Sequence, residues 1–203
     1  MRDAIHALKY ERLHPAAREL GRMLAEAMAE LAAEAPAELL VVPVPLHRAK
    51  FAERGFNQAR ALAVYAIEAL GKTHPTWQLR LAPAALMRQR ATASQAGLSP
   101  RERRLNVRGA FVVEDASAVA EKDILLVDDI LTTGATVRAA SQALMKAGAA
   151  TVWVATLARA RREFDDNEAP VDEELRDTEM AGDVPAEILQ NASVQSSIDQ
   201  RSF

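Results

Sequence analysis

The chain has 203 residues, 49% of them apolar but only 4% aromatic. This suits one domain of ordinary size, or one domain plus a tail, with a core of Ala, Leu and Val. There is no cysteine, which excludes disulfides, thiolate metal sites and a cysteine nucleophile. The net charge of −3 hides a division: residues 164–203 hold eleven acids against Arg176 and Arg201, a balance of −9, so residues 1–163 carry +6. A basic body favours an anionic ligand, either phosphates or nucleic acid.

The N-terminus, Met1 to His6, lacks the apolar core of a signal peptide, and no run of about 18 apolar residues suggests a membrane span. A cytoplasmic protein with no membrane association is expected. Residues 15–33 predict a helix, with Leu20, Met23, Leu24, Ala27, Met28 and Leu31 recurring at helical steps. Residues 38–44 predict a buried strand ended by prolines. Asn57 reads as the N-cap of a helix running to Leu70, with Gly71 as its stop. From Ala82 to Gly109 no periodicity holds, and Arg88, Arg90, Arg101, Arg103, Arg104 and Arg108 face a single acid, Glu102. A long loop inside a compact domain is usually functional or disordered. Short strands follow at 111–113, 124–127 and 151–157, with a helix from Thr136 to Ala147 ended by Gly148.

Strands alternating with helices predict an α/β fold, a mostly parallel sheet flanked by helices. In such sheets the ligand sits beyond the carboxyl ends of the strands. The expected division is a domain over 1–163 and an acidic, disordered tail over 164–203.

Chemistry concentrates in residues 124–136, Ile-Leu-Leu-Val-Asp-Asp-Ile-Leu-Thr-Thr-Gly-Ala-Thr. A buried strand delivers Asp128 and Asp129 to its carboxyl end, and a turn and a helix follow. The turn's backbone N–H groups and the helix N-terminus suit a phosphate dianion. Gly134 permits close backbone approach, Thr132, Thr133 and Thr136 add hydroxyls, and Ala135 adds an N–H. The aspartates cannot serve the same anion, since like charges repel, but they suit two vicinal hydroxyls. A ribose 5-phosphate meets both demands. The alternative, that the acids only cap a helix, is less specific than their placement after four apolar residues.

These residues resemble the signature for 5-phosphoribosyl-1-pyrophosphate (PRPP) in type I phosphoribosyltransferases. The rest of the body resembles the ComF family (competence protein F, GntX-like). The matching pieces are Ala7-Leu8-Lys9-Tyr10, Val42-Pro43-Val44-Pro45-Leu46-His47, Glu53-Arg54-Gly55-Phe56-Asn57-Gln58-Ala59 and the run from Gln95 to Asn106. The resemblance implies a type I phosphoribosyltransferase fold with a flexible hood, PRPP as ligand, and Mg²⁺ held by ligand oxygens rather than directly by the protein. It also implies transfer of phosphoribosyl to a nitrogen acceptor with release of pyrophosphate.

Leu46, His47 and Arg48 are then expected to contact pyrophosphate, and Arg88, Gln95, Arg103 and Arg104 to belong to the hood. Lys9 and Tyr10 are candidates for folding over the site. Arg54, Asn57 and Gln58 are candidates too, with a surface charge and an N-cap as their structural alternatives. Members commonly carry a four-cysteine zinc element, so this chain is expected to be a short variant or to lack an upstream segment. Hypoxanthine-type enzymes place an Asp where this chain has Thr132, so purine salvage by that mechanism is not expected. The alternative function is a non-enzymatic, PRPP- or nucleotide-binding accessory in DNA uptake, with a helicase as partner. The arginine-rich loop could instead hold single-stranded DNA, although it has no aromatic from Ala82 to Gly109 for stacking. His6, His14 and His74 lack metal spacing.

Overall fold

Four parallel strands form the main sheet, in the order β2-β1-β5-β6. Their spans are β1 (Glu38–Pro43), β2 (Gln78–Leu81), β5 (Asp123–Leu131) and β6 (Thr151–Arg159). A separate antiparallel pair joins β3 (Met87–Arg88) to β4 (Phe111–Val112). The helices are α1 (His14–Ala29), α2 (Arg48–Arg54), α3 (Gln58–Thr73), α4 (Pro100–Val107) and α5 (Ala135–Lys146). This computed structural model describes residues 14–90 and 99–159. Lys9, Tyr10, Gln95 and the acidic stretch 164–203 lie outside them.

The central stretches of β1 and β5 are apolar because both faces of the sheet are covered there. Side chains alternate between faces along a strand. Leu39, Val41, Leu125, Val127 and Ala155 therefore pack on one side, against Leu24 and Met28 of α1 and Leu62, Ala66 and Leu70 of α3. Leu40, Val42, Ile124, Leu126, Val152 and Val154 pack on the other, against Val137, Ala140 and Leu144 of α5 and Phe111 of β4. Where α1 crosses α3, a Cβ at Gly21 would fall on the Cβ of Tyr65, so the close approach of these helices requires glycine.

Three expectations about these elements need correction. Gly71 does not end α3, which runs on to Thr73 and closes with His74 N–H donating to Leu70 O at 2.7 Å. Pro75 is the stop, since a residue preceding proline is driven out of the helical region. The stretch 82–109 is not irregular throughout, because it contains β3 and α4. Helix α2 follows His47 directly. Finally, β5 does not stop at Val127: pairing with β6 carries it through both acids, with Asp128 opposite Thr156 and Leu131 opposite Arg159.

Candidate functional site

Strand register assembles the site. Pro43 pairs with Val127, and Val44 N–H donates to Val127 O at 2.8 Å. The residues after Val44 and the residues after Val127 therefore leave neighbouring strands at one level. The first group is Leu46, His47 and Arg48; the second is Asp128, Asp129 and the turn to Thr136. Thr156 and Arg159 of β6 join them by register. Arg159 lies beyond the strand expected at 151–157, whereas Thr156 lies inside it and was not singled out because pairing partners cannot be read from sequence.

Both aspartates are half-buried, and each is oriented by its own strand. Asp129 N–H donates to Asp128 Oδ1 at 2.9 Å, and Ile130 N–H donates to Asp129 Oδ1 at 2.8 Å. The turn that follows depends on Gly134, at φ 73° and ψ 3°, a left-handed conformation that costs side-chain-bearing residues strain. Ala135 N–H donates to Thr133 Oγ1 at 3.4 Å, and Arg138 N–H to Gly134 O at 2.9 Å closes the first turn of α5. The start of α5 thus presents N–H groups and the positive end of a helix dipole directly after the acidic pair.

His47 is the N-cap of α2: its Nδ1 accepts from Ala49 N–H at 3.3 Å. A neutral ring accepting at Nδ1 carries its proton on Nε2, the atom left to donate. Arg48 begins α2 and is exposed.

Arg54, Asn57 and Gln58 are brought together by hydrogen bonds of their own. Arg54 Nη1 donates to Gln58 Oε1 at 3.4 Å, and Gln58 is only 3% exposed. Asn57 Nδ2 donates to Val44 O at 3.0 Å while its Oδ1 caps α3 through Arg60 N–H. The expected N-cap at Asn57 is therefore present, and these three residues brace the loop that carries His47.

Arg88 is not out in a loop. It lies on β3, half-buried, with its guanidinium 5.4 Å from the centre of the Phe111 ring, a cation–π distance. Burial lowers its pKa, and the charge of Asp128 offsets part of that. Arg103 and Arg104 lie on α4, whose helix begins with Ser99 accepting from Glu102 N–H while Glu102 accepts from Ser99 N–H.

Among the described residues no group of three or more His, Cys, Asp or Glu could hold a metal ion, and no helix is long and apolar enough to cross a membrane. A cavity of about 650 Å³ lies between α1 and α3, lined by Arg18, Arg22, Tyr65, Glu68, Lys72 and His74 among others. Ion pairs of Glu68 with Arg18 at 3.8 Å and Lys72 at 3.6 Å run along it. It lies in the helical layer, whereas the acidic pair lies on β5.

The family model described as the phosphoribosyl transferase domain matches residues 80–185. The chain is 36% identical over 158 residues to the DNA utilization protein YhgH of Escherichia coli O157:H7, covering 76% of this chain and 65% of that protein. It therefore spans somewhat less than two thirds of that relative. Over 121 residues it is 33% identical to competence protein F of Haemophilus influenzae, covering 59% of this chain and 50% of that protein. Among solved structures, it aligns with glutamine PRPP amidotransferase from B. subtilis complexed with ADP and GMP. That alignment has a TM-score of 0.42 and 25% identity, covering 70% of this chain and 26% of the other. The four-stranded parallel sheet flanked by helices is the type I phosphoribosyltransferase fold, and the chain belongs to the phosphoribosyl transferase domain family.

Proposed function

We propose that the chain binds Mg²⁺–PRPP at the β5–α5 junction and transfers its phosphoribosyl group to a nitrogen nucleophile. The C1–O bond to pyrophosphate breaks, an N–C1 bond forms, and the nucleophile's proton leaves to solvent. The observation that carries this reading is the acid pair on β5 followed by a left-handed Gly134 that opens α5. Asp128 and Asp129 hold the ribose hydroxyls, and their charge favours the oxocarbenium-like transition state. The turn from Thr132 to Thr136 binds the 5-phosphate. That contact is remote from C1, so its binding energy positions the reacting carbon. Leu46, His47 and Arg48 meet the pyrophosphate through backbone N–H groups, Nε2–H and the guanidinium. Mg²⁺ arrives as part of the substrate, on its oxygens.

The names of the relatives, DNA utilization and competence proteins, favour a second reading. In it the same site binds PRPP without turnover, as part of an accessory factor in DNA use with a helicase or single-stranded DNA as partner. A calorimetric titration with PRPP and Mg²⁺ tests the site. Pyrophosphate release with a panel of nitrogenous bases separates the two readings, and absence of PRPP binding sinks both.

A further inference from the structure

The segment between β3 and β4 is stitched at its base by more than strand pairing. Gln89 N–H donates to Ala110 O at 3.0 Å, and Gln89 Nε2 donates to Gly109 O at 3.4 Å. Arg90 reaches further across. Its Nη2 donates to Asn106 O at 2.9 Å and to Arg108 O at 2.8 Å. Between these two carbonyls, Val107 O accepts from Ala110 N–H at 3.1 Å. Three consecutive carbonyls at the end of α4 are thus covered, two of them by a side chain from the opposite stem.

Carbonyls at a helix C-terminus have no partner inside the helix and form the negative end of its dipole. A guanidinium placed there is both cap and counter-charge. At its other end α4 is closed by the reciprocal Ser99–Glu102 bonds. It packs against α5, the helix that opens at Gly134, and its span contains Arg101, Arg103 and Arg104. Charges at a surface act only over about a Debye length, roughly 8–10 Å at ordinary salt, so the effect of a basic helix on a bound anion depends on where the helix is held. On the same stem, two residues before Arg90, Arg88 packs over Phe111 beside the charge of Asp128.

We propose that Arg90 is a positioning residue for anion binding. By capping α4 from the stem that follows β3, it holds the arginine-bearing helix against α5 in fixed register with Arg88. The inference rests on the reading of the β5–α5 turn as the PRPP site.

The test uses the full chain, wild type and the variants Arg90→Met and Arg90→Lys. Hydrogen exchange of the 100–107 amides reads the clamp without any ligand, and calorimetry with PRPP and Mg²⁺ reads its consequence. In Arg90→Met, the α4 amides are expected to exchange about tenfold faster or more, as the loss of hydrogen bonds to a charged donor implies. Global melting should be unchanged. PRPP affinity should fall about tenfold, with KM rising and kcat held if turnover is measured. Arg90→Lys keeps the charge and should recover most of both effects. Unchanged exchange in Arg90→Met would overturn the clamp. Faster exchange with unchanged PRPP affinity would overturn its role in binding. A wild-type chain that binds no PRPP sinks the reading of the turn, and Arg90's role in binding with it, even where exchange confirms the clamp.

Discussion

Asn57 and Val44 are tied across the mouth of the sheet: the Asn57 amide donates to the buried Val44 carbonyl at 3.0 Å while the same side chain caps α3. One residue thus joins the end of β1 to the start of the helix that covers it. Asn57→Ala removes both bonds and should cost about 2 kcal/mol of stability. Asn57→Asp keeps the cap but loses the donor, and should cost about 1 kcal/mol. Denaturant unfolding of the two variants checks this; an Asp variant as stable as wild type would show that the Val44 bond contributes nothing.

Double replacement of Asp128 and Asp129 by Asn keeps their size and removes two charges. Hydrogen bonds to a charged group contribute roughly 1.5–3 kcal/mol each, so PRPP affinity should fall by at least about tenfold. Inorganic phosphate should bind no worse. Calorimetry with both ligands is decisive: if they weaken together, the aspartates shape the turn and do not hold ribose.

Gly134→Val tests the turn. A Cβ there would lie 3.7 Å from Leu131 Cδ1, so no protein atom excludes it, and the cost is torsional. About 1–2 kcal/mol of stability should be lost, with PRPP binding abolished because the turn no longer meets the phosphate. A folded variant with wild-type PRPP affinity would misplace the phosphate site.

The pH dependence of α4 has a definite sign. The Ser99 hydroxyl and backbone N–H hold the carboxyl of Glu102 below its ordinary 4.5. A depressed carboxyl favours the folded form above its unfolded pKa, and that support is lost as pH falls through the folded value. Exchange protection at 100–107 should therefore be steady from neutrality to about pH 5, then fall with acid before the core melts. Glu102→Gln preserves the reciprocal bonds and should flatten the profile. A wild-type profile that is already flat would count against the box.

Deleting residues 165–203 should leave the melting temperature nearly unchanged, since an acidic, aromatic-poor stretch has little apolar surface to bury. A clear drop would mean that the stretch docks on the body.

Much of this was legible in the sequence because it lies in residue types with one physical meaning. Four apolar residues, two acids and a Thr-Thr-Gly turn placed the β5–α5 junction, and Asn57 was readable as a cap. Pairing partners were not legible, so the length of β5 was missed: only the neighbouring β6 keeps Asp128 and Asp129 in a strand. Helix α4 was missed because three of its eight residues are arginine, with Leu105 57% exposed and Val107 buried, leaving no apolar period to find. Its caps were present in Ser99-Pro100-Arg101-Glu102. Arg88 was assigned to the hood by resemblance and charge, whereas its place over Phe111 depends on pairing between β3 and β4, far apart in sequence.

The central position of β1 and β5 has a consequence for how the chain is made. β1 meets β2 at Leu39 with Leu79, and it meets β5 at Val41 with Leu125. During synthesis β2 emerges first, so a nascent chain can form the β1–β2 pair long before β5 exists. Its other β1 edge then shows unpaired N–H and C=O groups on an apolar strand, a template for joining another chain. Pairings between residues so distant in sequence also form slowly. Between release of Leu81 and release of Val127 that edge of β1 has no strand of its own chain to pair with.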